Sequence, residues 1–255
     1  MDIKEYRQQE NKTRHPWETA RLEVMLQLVE KHLNLNQKLQ IADIGCGDTF
    51  IVDSMSQRYK QASFLAVDTA FTADDMENFA QNHASKKIQL IQNHREIAAK
   101  SIDLVLLMDV IEHIEYEADF LHELVNQSYI TDNTLFFISV PAFQSSFTTH
   151  DEFLNHYRRY NQKQLKKVLQ ENGYQLVESG YFFFSLLKVR FLEKMRELIF
   201  GKREMTGLVN NPFSEKRAAQ IKKLLLLDFK ITQALRQIHL GMPGLSTYAL
   251  CRKSV

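Results

Sequence analysis

Short apolar runs alternate with amphipathic stretches through the first 140 residues. Residues 39–44, 63–67, 102–108 and 135–140 each read as a strand buried on both faces, with a weaker one at 88–91. Polar segments of helical length, 53–60, 74–83 and 115–128, separate most of them. Strands of this kind alternating with helices predict a parallel α/β sheet. Ahead of the first strand, Pro16 suits the first turn of a helix. Leu22, Met25, Leu26 and Val29 follow at helical spacing, so 17–33 is predicted to be a helix packed on the sheet.

The second half changes character. A polar loop runs from Pro141 to Tyr160, after which Asn161 and Gln164 have the N-cap and N3 spacing of a helix reaching Gly173. Residues 174–184 read as another strand. From there to about Leu240 the pattern is helical, in two stripes: Phe184, Leu187, Phe191, Met195, Leu198, and then Leu224, Leu227, Ile231, Leu235, Ile238. A loop around 207–212 separates them. Both are expected to be mostly ordinary core, with an acceptor lid, a dimer contact or a membrane-surface face as the alternatives. The tail, 244–253, returns to strand character, which makes the helical part an insertion of roughly fifty residues before the last strand.

Composition narrows the classes. The chain has 255 residues, 44% hydrophobic and 25% charged, which fits a globular fold and excludes a disordered chain. Lys+Arg number 32 against 31 Asp+Glu, and no basic stripe stands out, so nucleic acid is not expected as a partner. Cys46 and Cys251 lie far apart with no CxxC, which argues against a disulfide scaffold or a zinc site and for a reducing compartment. The first residues are charged and lack the apolar core of a signal peptide, and no stretch is apolar enough to span a bilayer. A cytoplasmic location is the expectation.

The strongest chemical signal is the sequence Ile41-Ala42-Asp43-Ile44-Gly45-Cys46-Gly47-Asp48-Thr49. An apolar strand ends in an acid, and two glycines let the backbone turn and approach a ligand. A second strand ends in Asp68, followed by Thr69, where a carboxylate can accept hydrogen bonds from both hydroxyls of a ribose. A turn that binds nothing, and a loop or N-cap role for Asp68, are the plainer readings. A dinucleotide loop needs G-x-G-x-x-G, and here bulky Phe50 occupies the third glycine's place. Asp43 would also repel a pyrophosphate. An acid there suits a cofactor carrying an ammonium group, such as S-adenosylmethionine.

Asp43-x-Gly45-Cys46-Gly47 resembles the first motif of class I S-adenosylmethionine-dependent methyltransferases. Ile102-Asp103-Leu104-Val105 followed by Asp109-Val110-Ile111-Glu112-His113-Ile114 is similar to their fourth strand and the segment after it. That form is typical of the branch of ubiquinone-biosynthesis O-methyltransferases and bacterial methyltransferases of small molecules and glycans. Val140-Pro141, His150-Asp151, His156-Tyr157-Arg158-Arg159-Tyr160, and the pair Asn211-Pro212 with Gly244-Leu245-Ser246 resemble the same branch. The chain departs from the pattern at Thr49, where a third small glycine is frequent. It departs again at Gln92-Asn93-His94, where an acid usually meets the adenine amino group. Asn93 is the expected substitute, through its side-chain carbonyl.

The resemblance implies a Rossmann-like class I methyltransferase: a seven-stranded, mostly parallel sheet with helices on both faces and a helical insertion before the last strand. It implies one domain over 1–255, with N-terminal cap helices at 1–38, a cofactor-binding core at 39–182, the insertion at 183–242 and the last strand at 243–255. S-adenosylmethionine would become S-adenosylhomocysteine, and a small metabolite or a glycan or lipid-linked precursor would gain an O-methyl group. A catalytically inactive cofactor-binding accessory protein and a nicotinamide-dependent oxidoreductase are the competing readings. A monomer or homodimer is expected, with no more than weak contact to a membrane surface.

In such a reaction the cofactor supplies the electrophile, and the protein supplies orientation and a base. Met108 and Asp109 would end the fourth strand near the transferred methyl, with Asp109 on the cofactor or the acceptor. His113 reads either as the general base or as a packing or capping histidine. Glu112 and His113 would be two adjacent ligands for a divalent ion, too few to predict a metal site. His150, His156, Arg158, Arg159 and Tyr160 fall on a loop over the same sheet edge. There the arginines either hold an acidic acceptor or, in at least one case, brace the loop, with Arg158 and Tyr160 acting through Asp151. Trp17 and Arg21 either close the pocket or, for the tryptophan, fill core.

Overall fold

The computed structural model describes residues 14–83, 87–202 and 213–254. Helix α1 (Pro16–Val29) precedes β1 (Gln40–Ile44), α2 (Phe50–Arg58), β2 (Ser63–Val67), α3 (Ala73–His83) and β3 (Ile88–Ile91). Then come β4 (Leu104–Met108), α4 (Glu117–Val125), β5 (Leu135–Pro141), the short α5 (Thr149–Phe153), α6 (Gln162–Glu171) and β6 (Tyr174–Phe182). Two longer helices, α7 (Phe184–Phe200) and α8 (Glu215–Gln237), separate β6 from β7 (Ser246–Lys253).

The strands form one seven-stranded sheet in the order β3-β2-β1-β4-β5-β7-β6. The first five strands pair in parallel, and β7 runs antiparallel between β5 and β6. Side chains alternate faces along each strand, so every central strand feeds two cores. Leu104, Leu106 and Met108 of β4 face the layer holding α1, α2 and α8, whereas Val105 and Leu107 face the layer of α4 and α6. The strand order reverses direction from β1, outward to β2 on one side and to β4 on the other, and the loops leaving these strands therefore border one crevice.

Caps set the helix starts. The side chain of His15 accepts the Trp17 N–H and Glu18 accepts the His15 N–H, ahead of Pro16 in the first turn. Asn161 and Gln164 cap α6 reciprocally, as their spacing predicts. Helix α2 begins at Phe50, three residues before the predicted start, because Thr49 turns the chain with φ +64° and lets the helix follow the glycine loop directly. The polar loop from Pro141 to Tyr160 contains α5 and a 3₁₀ turn at Gln144–Ser146.

The two long stripes are not core. Of the first, Leu187 is buried, whereas Phe191, Met195 and Leu198 are exposed. In α8 the buried positions are Leu225, Phe229 and Thr232, and the predicted stripe of Leu224, Leu227, Ile231 and Ile238 faces outward. Four consecutive leucines, 224–227, put apolar groups on every side of the helix, so periodicity could not choose the face that α1 covers. The expected loop at 207–212, with Asn211-Pro212, lies outside the described residues, as does the N-terminal segment ahead of Arg14.

Candidate active site

A cavity of about 1570 Å³ opens at the carboxyl ends of β1, β2, β3 and β4. That is ample for a nucleoside-sized cofactor together with an acceptor. Its walls are built in two different ways.

The first wall is a set of backbone turns. Gly45 and Gly47 have φ of +73° and +56°, which their lack of a side chain makes cheap. A Cβ on Gly45 would sit 2.6 Å from Val110 Cγ2, so the turn is pressed against the end of β4. The amides of Gly45 and Cys46 donate to the Val67 carbonyl at 2.8 and 3.1 Å, tying the loop to β2. Asp68 continues the tie: one carboxylate oxygen accepts the Gly47 N–H at 2.8 Å and the other the Ala70 N–H at 2.9 Å. Asp68 and Thr69 both line the cavity, and the carboxylate retains lone pairs for a ligand. Thr49 holds the left-handed position where glycine would sit without strain, at a cost of about 1 kcal/mol. Cys46 is buried in the core and does not line the cavity.

Asp43, at the root of this loop, is buried and one of its oxygens has no hydrogen-bond partner. Burial pushes its carboxyl up to about 7, against the opposing pull of Arg21. Arg21 is itself buried, pairs with Asp109 and stacks over the Trp17 ring at 4.6 Å. Trp17, Arg21, Met108 and Asp109 all line the cavity, so the tryptophan is wall and not only core. Asp109 adopts φ +58° at the end of β4, and its second oxygen has no partner. Asn93 also reaches the cavity, but its carbonyl oxygen already caps the turn at His94–Glu96 by accepting the Arg95 N–H at 3.0 Å. The adenine contact expected of that oxygen is thus in competition with a structural one.

The second wall is a network of side chains. Asp151 is fully buried, and one of its oxygens lies 2.8 Å from His156 Nδ1 and 2.7 Å from the Arg159 Nε that donates to it. Its other oxygen accepts the Thr148 N–H at 2.9 Å. Burial alone would raise this carboxyl, but His156 and Arg159 hold it well below the usual carboxylate range. Arg159 spends its remaining reach on the Ala142 carbonyl and Ser146 Oγ, so although it borders the cavity it braces the loop. Arg158 turns away to Glu117 and the Glu115 carbonyl, and the Tyr160 hydroxyl lies 3.4 Å from Glu117. Neither lines the cavity. The reading in which two arginines clamp an acidic acceptor is therefore corrected: both already hold protein oxygens. The expected partner was also wrong, since Arg159 and His156, not Arg158 and Tyr160, meet Asp151.

Of the five histidines on the cavity wall, His113, His150 and His156 are the three predicted as site residues; His15 and His94 are the others. The rings of His113 and His156 meet edge to face at 4.6 Å between centroids. Burial and the nearby Arg190 lower His150 to about 4, so it stays neutral. Behind them Glu112 is wholly buried with both oxygens unpartnered, and burial raises its carboxyl to about 8. Ligand atoms of Glu112, His113 and His156 lie within 4.8 Å of one another, a geometry that could hold a metal ion. Sequence spacing offered two adjacent ligands; the fold adds the third from a loop more than forty residues on. Also missed were Arg190 and Glu193 of α7, which line the cavity on the face that also carries Leu186, Val189 and Phe200. Their spacing of three and four residues is the signal that would have found them.

A model of a "Methyltransferase domain" family matches residues 17–179. Ubiquinone biosynthesis O-methyltransferase of Rickettsia bellii is 27% identical over 118 residues, covering 44% of this chain and 47% of that protein. The protein of the same description from Rickettsia canadensis is 30% identical over 125 residues, 47% of this chain and 50% of its own. The chain thus matches about half the length of these curated relatives. Among solved structures, phosphoethanolamine N-methyltransferase 2 of Haemonchus contortus, in complex with S-adenosyl-L-methionine, superposes with a TM-score of 0.56. The identity is 16%, over 91% of this chain and 53% of that one. The [4+2]-cyclase SpnF superposes with a TM-score of 0.55 at 10% identity, over 96% and 85%. These two share the fold, and between them they show that the fold alone does not choose the reaction.

Proposed function

The chain belongs to the methyltransferase-domain family, and from that membership we propose that it moves a methyl group from S-adenosylmethionine to a hydroxyl oxygen. The acceptor is a small metabolite or a glycan or lipid-linked precursor, and S-adenosylhomocysteine is the product. One observation carries this reading: the cavity has a glycine-turn wall ending in Asp68 and, facing it, a histidine held by a buried carboxylate.

The first wall's residues fit that cofactor. Asp68 is free to accept the ribose hydroxyls while its other lone pairs keep the loop in place. Asp43 has an unpartnered buried oxygen where an ammonium group would supply the missing partner. Gly45 and Gly47 line the cavity through backbone alone, and Met108 with Trp17 supplies apolar wall. When bound, S-adenosylmethionine presents an electrophilic methyl whose C–S electron pair returns to sulfur on displacement.

The second wall supports oxygen as the acceptor atom. A neutral amine attacks with its own lone pair, whereas a hydroxyl needs its proton removed as it attacks. With Nδ1 donating to Asp151, His156 presents Nε2 as the basic nitrogen, and this nitrogen takes the hydroxyl proton. Asp151 keeps the ring oriented and stabilises the imidazolium that results. The nicotinamide alternative is set aside by the family match, and the inactive-accessory alternative is decided by turnover.

Calorimetry with S-adenosylhomocysteine, S-adenosylmethionine and NAD in parallel tests the assignment. Binding of both adenosyl ligands and not of NAD is expected. Asp68→Ala should weaken adenosyl binding at least about tenfold, since charge-assisted bonds are worth about 1.5–3 kcal/mol each. Unchanged affinity in that variant would remove Asp68 from the site.

A further inference from the structure

Twelve of the sixteen large apolar side chains exposed among the described residues fall between Val189 and Leu240. Elsewhere they are scattered singly, which is ordinary for a protein surface. Here they line up. On α7, Leu192, Met195 and Ile199 recur at three and four residues, with Leu192 69% and Ile199 67% exposed. On α8, Leu224, Leu227, Ile231 and Ile238 do the same on the side away from Leu225 and Phe229, which pack towards α1. The N-terminal part of α7 meets the middle of α8, where Phe184 and Lys188 lie near Asp228, Ile231 and Leu235.

Charge separates the candidate occupants. The two helices carry ten Lys or Arg against four Asp or Glu, within a chain whose formal charge is only +1. Lys223 and Lys230 are exposed beside the apolar stripe of α8. A second copy docked through the same face would set this basic fringe against itself, because a two-fold interface pairs a patch with its own image. An anionic surface is complementary to it. Apolar side chains flanked by lysine and arginine on helices lying flat are the pattern of an interfacial helix. No helix among the described residues is long and apolar enough to cross a membrane, so α7 and α8 would lie on it.

We propose that the outward face of α7 and α8 is a docking surface for an anionic lipid bilayer. The opposite side of α7, through Leu186, Val189 and Arg190, lines the cavity, so docking would leave the cavity about one helix diameter from the lipid. Vesicle binding is read without cofactor or acceptor, so its failure would leave methyl transfer untouched.

The test is co-sedimentation with vesicles of phosphatidylcholine alone and of phosphatidylcholine with about a quarter phosphatidylglycerol. The protein should sediment with the mixed vesicles, weakly with the neutral ones, and less as salt is raised. Exchanging Leu192→Glu together with Leu227→Glu should lower partitioning at least about tenfold, since both positions are exposed and lose apolar burial while gaining repulsion. The thermal unfolding midpoint and adenosyl-ligand affinity should stay unchanged. Absence of binding to the anionic vesicles would overturn the proposal. So would a wild-type dimer in analytical ultracentrifugation that the same double variant converts to monomer, because the face would then belong to a second copy.

Discussion

Asp43 and Asp151 are both buried carboxylates, one behind each wall of the cavity and neither lining it, and their environments drive them in opposite directions. Burial raises Asp43 to about 7, and one of its oxygens has no partner. Asp151 is no less buried, yet His156, Arg159 and the Thr148 amide hold it firmly ionised. The contrast teaches that burial alone neutralises an acid, and partners decide whether it keeps its charge. Asp151 is a fixed anion built into the fold. Asp43 is a charge that a cationic ligand would complete.

The largest effects should come from erasing that contrast. Asp151→Asn leaves Arg159 buried without its anion and is expected to cost about 3–5 kcal/mol in urea unfolding at pH 7. Asp43→Asn should do the reverse above neutrality. A carboxyl raised from 3.8 to about 7 on folding stabilises below the lower value and loses that contribution as pH rises through the upper one. Wild-type stability should therefore fall between these two pH values, by at most about 4 kcal/mol, and Asp43→Asn should flatten the fall. Asp151, lowered on folding, has the opposite sign: its contribution is present above the ordinary carboxylate value and lost as pH falls below it. Equal losses from the two variants would mean that the walls do not differ.

His156 sharpens the comparison in kinetics. His156→Ala should lower turnover by about 10²–10⁴-fold, the usual worth of a general base. Adenosyl-ligand affinity should hold within about twofold, because no bond to the first wall is lost. A matching loss of affinity would move His156 to the cofactor side.

The smallest effect is a pH dependence of binding. If Asp43 must ionise to meet the cofactor's ammonium, affinity should rise about tenfold from pH 6 to pH 8, with proton release on binding. Calorimetry in buffers of different ionisation enthalpy reads that proton directly. Proton uptake, or a flat profile matching Asp43→Asn, would take Asp43 out of contact with the ligand.

How far the sequence reached depended on the range of the interactions. The residues of β1, the glycine turn and the position of Asp68 are adjacent in the chain or one strand apart, and all were legible. Strand β2 begins and ends where its apolar run does. The second wall was only half legible. Its residues were recognised by type, but Arg158 and Arg159 are neighbours whose side chains point to different partners, Glu117 and Asp151, and no spacing rule tells them apart. The stripes of α7 and α8 misled, because an apolar pattern says that a helix has an apolar face and not what covers it.

The sequence alone determined the alternation of strands and helices, the turn after β1 and the acids at the ends of β1 and β2. Those follow from side-chain periodicity and backbone freedom, which are properties of neighbouring residues. Only the tertiary structure decided which carboxylate kept its charge, which histidine Asp151 orients and which leucines of α8 pack towards α1. These depend on groups brought together from distant parts of the chain, where burial and partner geometry, not residue type, set the energy.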